Sequence, residues 1–210
     1  MKFYDCQTAP SPRRARIFIA EKGGLDIETV EVDLGKREQL SDAFKKINPR
    51  CTVPVLELDD GTCLTENLGI AAYLEAIAPD PPLFGTTAAE KGLIASWNAR
   101  VELEGFWPIA DVLRNRSKGM AERAITGPTN YEQIPELALR GHARGVEFFE
   151  MLNERLGESE YLAGASFSLA DISARVTADF AGWVKLGITD AHPHAKRWYE
   201  LVGQRPSVQG

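Results

Sequence analysis

The feature that most constrains this chain is a change of rhythm about eighty residues in. Up to that point short strand-like alternations and helical spacings take turns; beyond it, strand signals nearly vanish. Lys2 to Cys6 reads as a strand, and Arg13 to Lys22 as a helix with Ala15, Phe18 and Ile19 on one face, ended by Gly23-Gly24. Glu28 to Val32 reads as a second strand and Gln39 to Ile47 as a second helix. Val53-Pro54-Val55-Leu56-Glu57-Leu58 and Cys63-Leu64 flank the turn Asp59-Asp60-Gly61-Thr62 as a hairpin, and Leu68 to Ala78 has helical spacing again. The order βαβαββα, closed by an antiparallel hairpin, predicts an α/β layer on a mixed sheet.

A proline-rich joint follows, Ala78-Pro79-Asp80-Pro81-Pro82-Leu83-Phe84-Gly85, and the domain boundary is expected there. The resulting division is a first domain over 1–80, a linker over 81–87 and an all-helical domain over 88–210. In the second domain, Ala88 to Arg116 reads as one long helix kinked at Pro108, since proline removes an amide and clashes with the preceding turn. Thr126 to Pro135 reads as a loop, and Glu136 to Leu156 as a helix. Another helix starts at Ser168-Leu169-Ala170-Asp171, and His194 to Gly203 is the last.

Bulk properties exclude several functions. A chain of 210 residues can bury a core without disulfide or metal support. Its net charge of -6 and pI near 5.2 leave no basic footprint for nucleic acid, the cluster Arg13, Arg14, Arg16 being the local exception. Cys6, Cys51 and Cys63 form no CxxC pair, which argues against a disulfide framework and a zinc ribbon. No apolar leader opens the sequence, and no window approaches the roughly 18 apolar residues of a membrane span. The cytoplasm is the expected location. His192-Pro193-His194 has no third ligand nearby and reads as a turn, so no metal is expected.

Two short stretches carry chemistry. Proline in the strand-like Val53-Pro54 argues against a central, fully paired strand. Either a trans proline starts an edge strand, or a cis bond turns the backbone of Val53 outward toward a peptide ligand. In Thr65-Glu66-Asn67-Leu68 a strand ends and a helix opens; Asn67 reads as an N-cap with free helix-start amides beside it. Those amides suit a carboxylate and Glu66 suits an ammonium, the paired charges of an amino acid; the plainer alternative is an ordinary cap beside a solvated acid.

Pro49-Arg50-Cys51-Thr52-Val53-Pro54-Val55-Leu56 and Thr65-Glu66-Asn67-Leu68-Gly69-Ile70-Ala71-Ala72-Tyr73-Leu74 closely resemble the glutathione site of the glutathione transferase family. Ala9-Pro10-Ser11-Pro12-Arg13-Arg14-Ala15-Arg16-Ile17-Phe18 resembles its first loop and helix, and Phe167-Ser168-Leu169-Ala170-Asp171-Ile172 its helix-capping motif. The resemblance runs through the whole chain in order. It implies a thioredoxin-like domain joined to a helical one, glutathione as co-substrate, a small-molecule electrophile or disulfide as acceptor, a role in detoxification, and a homodimer.

Carried over, Val53 would hold the cysteinyl backbone of glutathione, Glu66 and Asn67 the γ-glutamyl end, and Gln39 the glycyl end. The sequence departs from the family at Asn67, where serine is usual, and at Thr52, where a basic residue often stands and one carboxylate contact is weakened. The thiol needs activation, because the thiolate is the nucleophile. Ser11 is the expected stabiliser, its hydroxyl donating to sulfur; its other role would be to cap the first helix. In the register set by Arg14 and Arg16, the reactive residue of several serine and cysteine classes falls on Ala9. Relatives with that register resemble disulfide reductases or peroxidases, which gives an alternative activity. A non-catalytic protein that keeps the fold is the other alternative. Ala9, Glu104, Trp107 and Asp111 are expected to line the electrophile pocket between the domains, with Trp183 a weaker candidate. Ser168 and Asp171, with Phe167 packed on Ile172, are expected to cap a helix whatever the function.

Overall fold

The computed structural model describes all 210 residues, which divide into two compact units. The first comprises Met1–Pro81 with Ile125–Asn130, the second Pro82–Ala124 with Tyr131–Gly210. The short segment 125–130 thus belongs with the first half of the chain, a placement that no local pattern announces. Its Gly127 has a φ of 123°, where glycine is favoured, and a Cβ there would lie 3.7 Å from the carbonyl oxygen of Arg50. The base of this excursion is closed within the second unit, where Ala124 N–H donates to the Tyr131 carbonyl at 3.1 Å.

The first unit is a four-stranded sheet in the order β2-β1-β3-β4, thioredoxin-like in topology. β1 (Lys2–Asp5) pairs in parallel with β2 (Glu28–Glu31) and antiparallel with β3 (Val55–Glu57), which pairs antiparallel with β4 (Cys63–Thr65). Helices α1 (Pro10–Lys22), α2 (Asp42–Ile47) and α3 (Asn67–Ile77) complete it. The stretch expected as one helix over Gln39 to Ile47 is instead a 3₁₀ turn, Glu38–Leu40, followed by α2. Ser41 separates them because its extended backbone lets its hydroxyl accept from the Phe44 amide at 3.1 Å, a helix N-cap. Lys22 has a fully buried ammonium held 2.5 Å from Glu75 and 2.6 Å from the Pro81 carbonyl, tying α1 to α3 and to the end of the unit.

The second unit is all helical: α4 (Ala88–Arg100), α5 (Trp107–Arg116), α6 (Pro135–Glu158), α7 (Leu169–Ala181), α8 (Pro193–Gly203) and the short α9 (Pro206–Gln209). The expected kink at Pro108 is replaced by a π-helical turn over Val101–Phe106, after which α5 starts. The wider turn carries the Trp107 amide back to the Glu102 carbonyl, five residues away, and leaves Pro108 in the first turn of α5, where its missing amide costs least. α5 and α6 approach closely because Gly141 has no side chain: a Cβ there would sit 2.5 Å from the Pro108 carbonyl.

Candidate functional site

The starts of α1 and α3 meet inside the first unit. α1 is capped by Ala9, whose side chain supplies no cap hydrogen bond, and prolines at 10 and 12 leave Ser11 and Arg13 as the amide donors of its first turn. Ser11 therefore lies within the helix, and the capping role expected as its alternative falls to Ala9. α3 begins at Asn67, so Asn67 is its first residue and Glu66 holds the cap position without a capping side chain. The expected Asn67 cap is corrected in the same way: its carboxamide reaches across to Ser11 instead of folding back on its own helix.

That reach is the central geometric fact. Asn67 Nδ2 donates to Ser11 Oγ at 3.0 Å, and Arg14 Nη2 lies 3.4 Å from the same oxygen. Asn67 is only 6% exposed, yet its Oδ1 has no hydrogen-bond partner in the chain. A buried acceptor left open is uncommon, and costs about 1–3 kcal/mol unless something fills it. Glu66 is exposed and holds a φ of 63° with ψ 134°, a conformation that disfavours any side chain. Strain and an open buried acceptor thus occur at adjacent residues, beside helix amides aimed at the same end of α3.

The other expected ligands of the first unit occupy a loop of their own. The Val53-Pro54 bond is cis. β3 starts only at Val55, so the N–H and C=O of Val53 lie outside the ladder. Thr52 is held by Asn48, whose Nδ2 donates to the Thr52 carbonyl at 2.8 Å and to its Oγ1 at 3.0 Å. Asn48 is buried and also accepts from the Arg50 amide at 3.0 Å, so it shapes the whole 48–52 turn. Sequence reasoning missed it; an asparagine two residues before Arg50 is the signal of a local side-chain turn. Gln39 sits in the 3₁₀ turn, and its Oε1 is buried without a partner. Tyr4 is no rival donor to Ser11: its hydroxyl donates to Glu57 at 2.6 Å, and burial with that bond pushes it up to about 12.

Of the expected electrophile residues, Ala9 belongs to the first unit and the rest to the second. Glu104 lies in the π turn, paired with Arg100 at 3.1 and 3.2 Å. Trp107, half exposed, packs edge-on against Phe106, and Phe106 leads through Phe180 to the exposed Trp183. Burial raises the Asp111 carboxyl, opposed by the charges of Arg140 and Arg144. Two shallow hollows, about 280 Å³ around Met1 and Glu57 and about 350 Å³ around His194 and Arg197, are lined by none of these residues. No cluster of three or more His, Cys, Asp or Glu is arranged to hold a metal.

A thioredoxin-like sheet followed by a helical unit, with an acid and an amide at the third helix start, defines the architecture of glutathione-dependent transferases. Residues 8–77 match the glutathione S-transferase N-terminal domain and residues 121–206 the C-terminal domain. Glutathione S-transferase 2 of Saccharomyces cerevisiae is 36% identical over 211 residues, spanning 100% of this chain and 88% of its own. The crystal structure of Gtt2 from the same yeast superposes with a TM-score of 0.91 at 36% identity, covering 100% and 99% of the two chains. A glutathione S-transferase of class Gtt2 from Vibrio parahaemolyticus gives 0.85 at 31% identity, covering 100% and 96%. The chain belongs to the glutathione S-transferase family, and it is a glutathione transferase with glutathione as co-substrate.

Proposed function

We propose that glutathione is held where α1 and α3 begin, with Ser11 as the thiolate stabiliser. In this reading the free main-chain amides of α3, that of Asn67 among them, take the γ-glutamyl carboxylate, and Glu66, with Asn67 Oδ1 beside it, takes the ammonium. Val53 pairs its backbone with the cysteinyl residue, while Gln39 Nε2 and Thr52 serve the glycyl end. The observation that carries the reading is the Ser11–Asn67 hydrogen bond, which joins the two helix starts at a buried, incompletely satisfied site. The thiol loses its proton to solvent; the thiolate then forms a C–S bond to the electrophile as the leaving group departs with its electron pair. Hydrogen bonding from Ser11 favours the charged sulfur. Ala9, Glu104, Trp107 and Asp111 are proposed as the residues that receive the acceptor, the exposed indole of Trp107 suiting an aromatic one.

Ser11→Ala tests this by steady-state conjugation of glutathione to a chloronitroaromatic. The expected result is kcat/KM lowered about tenfold to a hundredfold, with the glutathione KM little changed. Unchanged kcat would remove Ser11 from the chemistry. Disulfide reduction is a second reading, favoured by the alanine at position 9. In it glutathione thiolate attacks the disulfide, and a second glutathione releases the product as oxidised glutathione.

The pairing of two copies is proposed through the apolar side chains left exposed on each unit, Leu68 and Ile77 of α3 on the first and Leu139 of α6 on the second. A sedimentation measurement giving a single-chain mass would oppose it. Three free cysteines support a reducing, cytoplasmic setting for a detoxification role.

A further inference from the structure

Both hydrogen bonds given to Ser11 Oγ come from donors, Asn67 Nδ2 and Arg14 Nη2. A serine hydroxyl has two acceptor lone pairs and one hydrogen. With both lone pairs facing donors, the hydrogen must point away from Asn67 and Arg14. A serine free to rotate would spend its hydrogen on water or on any nearby carbonyl. Ser11 is instead fixed as a donor, and the hydrogen it offers is reserved for whatever sits in front of it.

We propose that Asn67 is a positioning residue for the transfer reaction: through its hydrogen bond to Ser11 Oγ, assisted by Arg14, it turns the serine hydroxyl hydrogen toward the glutathione sulfur. The inference rests on the reading of Ser11 as the thiolate stabiliser. It adds that Asn67 acts on the thiol end as well as on the γ-glutamyl end. Ser11 keeps its own proton throughout; the thiol proton goes to solvent, and the sulfur lone pair makes the new bond. Polarisation along such a chain strengthens each bond in it, so a donor behind Ser11 makes Ser11 a better donor. The open Oδ1 of the same carboxamide, buried beside Glu66, is the acceptor left for the ligand's ammonium. One side chain thereby links recognition of the γ-glutamyl group to the state of the sulfur.

The test is a pH titration of enzyme-bound glutathione, followed by the ultraviolet absorbance of its thiolate, with glutathione affinity measured in parallel. Wild type is compared with Ser11→Ala, Asn67→Ala, Asn67→Ser and the double variant Ser11→Ala/Asn67→Ala. Asn67→Ala is expected to raise the bound thiol's pKa by about one unit, a tenfold loss of thiolate below it. In the Ser11→Ala background the same change is expected to add nothing, because its effect runs through the serine. Asn67→Ser can still accept from the ligand's ammonium but is one bond shorter, so affinity should hold while the thiol pKa rises. Should Asn67→Ala fail to fold, Asn67→Asp keeps the shape and reverses the bond, drawing the Ser11 hydrogen onto itself; it should raise the pKa at least as far. Additive effects in the double variant, or an Asn67→Ala change confined to affinity, would overturn the positioning role while leaving Ser11 in place. A Ser11→Ala titration identical to wild type would overturn both readings.

Discussion

Two helix starts in this molecule solve the same problem in opposite ways. At α7, Asp171 is fully buried and every lone pair faces a donor: Leu162 N–H and Trp198 Nε1 on Oδ1, Ser168 N–H and its hydroxyl on Oδ2, all at 2.9–3.0 Å. At α3, the cap residue Glu66 supplies no capping bond, its backbone is strained, and Asn67 Oδ1 has no partner in the chain. The first arrangement spends its polar groups on the fold. The second leaves them open at a cost in stability, the arrangement that the proposed glutathione site calls for.

The largest effect that sharpens this contrast is expected from Asp171→Ala. Stranding four buried donors should cost about 3–5 kcal/mol in denaturant unfolding of the second unit. Glutathione affinity in the folded fraction should stay the same; a large affinity loss at unchanged stability would erase the distinction between the two helix starts. Next in size is the pH dependence of that carboxyl. Burial raises it from 3.8 to about 6 against the pull of its four donors. A raised acid binds its proton more tightly in the folded state, so its stabilisation is fully present below 3.8 and is lost as pH rises through 6. Relative to Asp171→Asn, wild type should lose roughly 2 kcal/mol over that window. A constant difference would show that folding leaves the proton affinity of the carboxyl unchanged.

At the other helix start the sign should reverse. Glu66→Gly relieves the positive φ and should stabilise the first unit by about 1 kcal/mol, while glutathione affinity falls at least about tenfold. Stability and affinity falling together would mean that the strain has been misassigned. The smallest effect belongs to Thr87→Ala, which removes the exposed capping box of α4, where Thr87 Oγ1 accepts from Glu90 N–H at 3.2 Å. A loss of about 1 kcal/mol with unaltered turnover is expected, since this cap faces solvent and no ligand.

The contrast also explains what the sequence could reveal. The capping motif Ser168-x-x-Asp171 was legible because its partners lie three residues apart, and the strand–helix order because periodicity is local. The fourth donor on Asp171, Trp198, comes from 27 residues away and left no mark. Glu66 and Asn67 were legible as a helix start, but the cap assignment to Asn67 was not right. Its side chain is drawn away by Ser11, 56 residues distant, a tertiary contact that outcompetes the local one. Pro108 announced a kink, and the chain answered with a π turn six residues long, because widening the turn before the proline relieves the same clash. Residues 126–130 read correctly as part of the loop expected over Thr126 to Pro135, yet the membership of 125–130 in the first unit depends on packing beside Arg50 that only the folded chain contains.

The central claim is that the open helix start of α3 binds glutathione. Calorimetric titration of glutathione into wild type and into Glu66→Ala tests it most directly. Saturable binding by wild type that weakens at least about tenfold in the variant is the predicted result, a loss of some 1.4 kcal/mol. Equal affinity in the two proteins would contradict the account and place the ligand elsewhere on the chain.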